Sequence, residues 1–93
     1  MKAKVWLYPA MVAWHFLTVP KKESAQIRWQ FAHVSRGFGS IPVTVAIGKT
    51  SWKTSIFWDS KASAYLLPLK AEVRKKEGVK AEDTVSFTLD IKA

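Results

Sequence analysis

No cysteine occurs in these 93 residues. That excludes a disulfide framework, an iron–sulfur cluster, a thiolate zinc site and a cysteine nucleophile. The same absence suits a reducing cytoplasm, which is the expected location. Histidine is nearly as scarce. His15 and His33 stand far apart, without the spacing of a metal pair. Acidic residues number 7 against 15 basic ones, a formal net charge of +8, which favours acidic partners electrostatically. No apolar run reaches the ~18 residues that cross a membrane as a helix. Lys2 and Lys4 before the stretch from Val5 to Leu17 resemble the start of a signal peptide. Pro9 breaks that stretch, Trp6, Tyr8, Trp14 and His15 interrupt it, and no A-x-A site follows, so two strands and a turn fit better.

What remains is a globular composition, with 48% apolar residues. The length gives one domain with one modest core. Lys4–Tyr8 reads as a short strand, and Ala13–Val19, aromatic and β-branched, as its hairpin partner across Pro9-Ala10. Pro20 suits the first turn of a helix running from Lys21 to about Val34. Its apolar stripe is Ile27, Phe31 and Val34, and Trp29 falls nearly opposite. Ser35–Ser40 is a glycine-containing loop. Ile41–Ile47 then alternates, Gly48-Lys49 turns the chain, and Trp52–Trp58 returns as a hairpin. Tyr65–Leu67 is a short strand ending at Pro68, and Leu69–Glu77 a basic helix capped by Gly78. Thr84–Ile91 alternates most cleanly, with Val85, Phe87, Leu89 and Ile91 inward. Six strands and two short helices, mainly β, suggest a small, partly open barrel. Val43, Val45, Ile56, Val85, Phe87 and Leu89 are its expected core.

Catalytic motifs are missing. Gly48-Lys49-Thr50 superficially matches the end of a phosphate-binding P-loop. That motif needs a glycine where Val43 stands, and a helix where a strand follows. Gly37-Phe38-Gly39-Ser40 lacks the order of a nucleophile elbow. The seven carboxylates read as caps, turns or solvated faces, with no pair in an apolar setting. Of the five tryptophans, Trp6, Trp14, Trp52 and Trp58 fall in strands. There they fill a core, or line a pocket or base-stacking platform. Trp29, beside Arg28, is the exposed one and a candidate self-association surface.

Several blocks together resemble one family. They are Gly37-Phe38-Gly39-Ser40-Ile41-Pro42-Val43, Ile47–Ser55, Tyr65-Leu66-Leu67-Pro68-Leu69-Lys70, and Val73-Arg74 with Glu77-Gly78. Their order and spacing are similar to the bacterial and archaeal family called domain of unknown function 1905. The resemblance implies a double-split β-barrel, a fold shared with AbrB-like transition regulators and MazE-type antitoxins. It implies no established activity. One departure is local: Glu82-Asp83 stands where the family often has glycine-aspartate, the residue that takes positive φ most readily.

Arg36, Ser40, Lys53 and Ser55 form a polar cluster on the loop and hairpin that the resemblance marks out. Converging with Lys70 and Arg74, they would build an anion-binding concavity from hydroxyl, backbone N–H and guanidinium groups. The sequence therefore predicts a non-catalytic binding module for a small anion or an acidic partner. The alternative is a nucleic-acid-binding regulator, by analogy with AbrB-like folds. No cofactor, no metal ligand, no catalytic residue and no membrane association are expected.

Overall fold

The computed structural model describes residues 1–9, 11–31 and 39–91, with backbone alone for 11–13. Strands β1 (Lys2–Lys4), β2 (Trp6–Tyr8) and β3 (Met11–Thr18) lead into helix α1 (Lys21–Phe31). Strands β4 (Ser40–Ile47), β5 (Thr50–Asp59) and β6 (Ala64–Leu69) follow, then helix α2 (Ala71–Glu77) and strands β7 (Thr84–Ser86) and β8 (Thr88–Ile91). The protein is mainly β, as its alternating segments predict. Among the described residues eight strands form two antiparallel sheets, one ordered β2-β3-β6-β5-β4-β8 and one pairing β1 with β7.

The count of eight corrects the expected six, and the reason is local. The predicted strands over Lys4–Tyr8 and Thr84–Ile91 are each interrupted once, at Val5 and at Phe87. Both residues are buried, at 0% and 2% exposure. Their backbones bond outside the ladders. Val5 N–H donates to the Asp83 carbonyl and the Val5 carbonyl accepts from Glu82 N–H; Phe87 N–H donates to the Met1 carbonyl. Each long strand thus passes from one sheet to the other through a residue whose peptide groups stay satisfied. In the large sheet β2 and β8 are the edges and do not pair with each other, so among the described residues the sheets do not close.

The β4–β5 hairpin is the backbone of the large sheet. Eight residue pairs run in register from Ser40↔Phe57 to Ile47↔Thr50. Gly48, at φ 56°, supplies the left-handed turn. Period-2 alternation buries Ile41, Val43, Val45 and Ile47 on one face, joined by Trp52 and Ile56. Leu17, Val19, Tyr65, Leu67, Leu69, Val73 and Val85 complete the core, while Leu89 packs at its margin, only partly buried. Ile27 and Phe31 of α1 pack against that core, as the stripe predicts, and Val34 lies outside the described residues.

Two boundaries differ from the sequence reading. Strand β6 continues through Pro68, opposite Phe16, to Leu69. Its pairing to β5 stops at Leu66, so Pro68 lies where one side of β6 is no longer in a ladder. Helix α2 accordingly starts at Ala71. It ends on Gly78 in the left-handed conformation, whose N–H returns to the Arg74 carbonyl.

Candidate functional site

The face of the large sheet turned from the core is set by register. Leu17 of β3, and Val19 just after it, point inward, so Trp14, Phe16 and Thr18 point outward. Trp6 stands opposite Phe16. The Phe16 ring centroid lies 5.2 Å from Trp6, 6.0 Å from Tyr8 and 6.0 Å from Trp14. The Trp6 indole N–H donates to Thr18 Oγ1 at 2.9 Å, fixing that ring. Phe16 is buried by its neighbours, whereas Tyr8 and Trp14 are 41% and 51% exposed. This corrects the expectation that Trp6 and Trp14 fill the core. Of the strand tryptophans, Trp52 is buried and Trp58 partly so. Aromatic alternation alone does not say which sheet face is inside.

Trp14 also lines a cleft of about 400 Å³ with His15, Pro68, Leu69, Lys70, Ala71 and Arg74. It sits where β6 runs out into α2, at the rim of the aromatic face. Arg74 is held by two contacts: its Nε donates to the Leu69 carbonyl at 3.3 Å, and its Nη1 lies 3.3 Å from His15 Nε2. Since a guanidinium only donates, that second contact uses Nε2 as the acceptor. Lys70, the extended residue just before α2, lines the same cleft as Arg74. The two carboxylates of α2 are directed elsewhere. Glu72 pairs with Lys76 at 3.7 Å, and Glu77 accepts a 2.6 Å hydrogen bond from the Thr50 hydroxyl. Two basic side chains and an indole therefore share a cleft lined by no carboxylate.

The other expected site residues lie apart from that cleft. Ser40, Lys53 and Ser55 share the outer face of β4–β5, where Ser55 is opposite Pro42 and Lys53 opposite Thr44. Lys53 lines a separate depression with Pro42, Val43, Thr44 and Thr54. Thr44 is in turn opposite Asp90 of β8, so a carboxylate shares the row that carries Lys53. Arg36 lies outside the described residues, as do His33 and the rest of the 35–38 loop. Lys70 and Arg74 come together; Ser40, Lys53 and Ser55 form a second group. Trp14 and His15 complete the first group. Sequence spacing does not reveal them, because His15 meets Leu69 only through the pairing of β3 with β6.

A second aromatic cleft lies at the far side of α1, lined by Ala25, Arg28, Trp29, Trp58 and Ser63. The Arg28 guanidinium stacks 4.0 Å from the Trp58 ring centroid, close to the Tyr65 phenol. Burial pushes the Tyr65 phenol up from its ordinary value, and the Arg28 guanidinium only partly opposes that. Trp29 is 87% exposed, as the helical wheel predicts. The Gly48-Lys49-Thr50 turn connects strand to strand and faces the Glu77 carboxylate. That is no cradle for a phosphate. No group of three or more His, Asp or Glu side chains converges among the described residues. No described helix is long and apolar enough to cross a membrane.

Fold and site define a small, mainly antiparallel β domain with a basic, aromatic-rimmed cleft. The chain belongs to the family described as domain of unknown function (DUF1905), whose family model matches residues 2–89. No curated protein matches the chain.

Proposed function

We propose that the protein is a non-catalytic binding module for a small anion or an acidic group, and that its site is the Trp14–His15–Lys70–Arg74 cleft. The observation that carries this reading is the Arg74 guanidinium. Its plane is fixed by the Leu69 carbonyl and His15, it is flanked by Lys70, and Glu72 and Glu77 are engaged elsewhere. A guanidinium oriented in advance loses little freedom on binding an oxyanion and offers paired donors to it. The fold fits this role. We read the two sheets as the halves of a double-split barrel, joined at Val5 and Phe87, which gives the cleft a rigid floor.

Inorganic pyrophosphate tests the site. It should raise the melting temperature and perturb the Trp14 indole N–H resonance in a concentration-dependent way. Arg74→Ala should abolish both effects and Lys70→Ala weaken them, while Lys53→Ala leaves them unchanged. An Arg74→Ala protein that still responds like the parent would refute the assignment.

A further inference from the structure

The cleft and the aromatic face are continuous through one residue, since Trp14 belongs to both. From the cleft outward the order is Lys70 and Arg74, then the half-exposed Trp14, then Phe16 beneath, then Tyr8 beside Trp6. Tyr8 and Trp14 each lie 6.0 Å from the Phe16 centroid, so the two exposed rings are at most two such steps apart. Phe16 and the hydrogen-bonded Trp6 hold them from below. Rings supported in this way offer π-faces at little cost in side-chain freedom.

From this juxtaposition we infer that the site takes single-stranded nucleic acid, with a backbone phosphate on Lys70 and Arg74 and adjacent bases stacked on Trp14 and Tyr8. The inference rests on the anion-binding reading of the same cleft and adds the aromatic face to it. Charge decides the occupant. A second copy of this chain would bring another net charge of +8 to the contact, whereas a polyanion neutralises it. Exposed rings beside a basic groove are the combination that binds single strands without a sequence requirement, because every base has a π-face. A duplex keeps its bases stacked internally and presents no such surface.

Fluorescence anisotropy of a labelled eight-residue oligothymidylate at about 50 mM salt tests this, with a duplex of the same length as comparison. The single strand should bind with a Kd in or below the 10⁻⁴–10⁻⁶ M range of non-specific contacts, and the duplex more weakly. Trp14→Leu keeps apolar volume but removes the π-face, and should weaken binding between about five- and 150-fold, the range for one lost stacked base. Tyr8→Leu should do the same, and Trp29→Leu should not. Arg74→Ala should reduce the slope of log K against log salt by about 0.7, the single-strand value for one phosphate. Unchanged melting curves would show that each variant folds. If the oligomer does not bind while pyrophosphate still gives its Arg74-dependent shift, this inference fails and the anion site stands. Binding that Trp14→Leu and Tyr8→Leu leave intact would reduce the site to charge alone and overturn the stacking. Equal affinity for the duplex would overturn it too, as would Trp14-dependent binding to anionic phosphatidylserine vesicles without binding to the oligomer.

Discussion

Two single residues show how local rules are met or broken in this domain. Ser24 is a fully buried polar residue, at 0% exposure. Its hydroxyl donates to the Val19 carbonyl and accepts from Tyr65 N–H, each at 3.0 Å. It therefore joins α1 to β6 and to the residue that follows β3. Nothing in its sequence context marks it, since a serine in the first turns of a helix normally reads as surface. Ser24→Ala would leave a buried N–H and a buried carbonyl without that partner. We expect a loss of about 2–3 kcal/mol in urea unfolding, near the upper end for an unmade buried hydrogen bond; a change below about 0.5 kcal/mol would mean that water reaches the gap. Glu82 is the converse case. The resemblance places a glycine there, and the backbone keeps that glycine's conformation at φ 75° with a glutamate in place. The turn is retained because Glu82 N–H and the Asp83 carbonyl both bond to Val5. The left-handed region costs an L-residue roughly 1–2 kcal/mol, and glycine's extra freedom in the unfolded chain offsets about 0.5–1. Glu82→Gly should accordingly raise the unfolding free energy by up to about 1.5 kcal/mol, and a destabilised variant would show that the strain has another outlet.

At the scale of elements, legibility followed periodicity. The β4–β5 hairpin, the Gly78 cap and the core face of α1 were readable because each depends on neighbours within a few residues. The aromatic strands were not. Trp6 and Trp14 alternate correctly, yet their side of the sheet is chosen by Leu17 and Val19 packing inward, a competition between two apolar faces that one strand cannot decide. Element packing also sets a pH response. Helix α1 is fastened to β5 through Arg28, stacked on Trp58 and close to the Tyr65 phenol of β6. The buried Tyr65 phenol has its pKa raised in the folded protein above the ordinary 10.0. The unfolded chain therefore loses this proton first as pH rises, so the contribution is present in full below pH 10 and disappears above it. Stability of the parent should fall as the pH is raised from neutral to above 10. Tyr65→Phe, which has no phenol proton to lose, should fall less over the same interval. Urea midpoints for both proteins at the two pH values give the comparison, and parallel losses would assign the alkaline weakening to other groups.

For the whole molecule, the topology carries the information that pattern reading lacks. The order β3-β6-β5 places His15 beside Leu69 and thereby brings Trp14 to Lys70 and Arg74. Residues 14 and 74 meet through long-range pairing, and spacing along the chain holds no record of it. The same topology makes the two sheets interdependent. Each is built from part of the N-terminal strand and part of the C-terminal one, with Val5 and Phe87 at the crossings. Val5 is wholly buried and both its peptide groups bond to the turn before β7. Loosening it should weaken both sheets together. Removing two buried methyl-sized groups costs roughly 1.5–3 kcal/mol, counting the cavity left behind, so Val5→Ala should lose that much. Leu7→Ala, two residues on and 40% exposed, should stay within about 0.5 kcal/mol. Amide hydrogen exchange separates global from local loosening. In Val5→Ala the slowest amides of the β1–β7 ladder and of the β4–β5 ladder should lose protection by the same factor. If the β1–β7 amides alone exchange faster, the small sheet opens independently and the crossings do not couple the two.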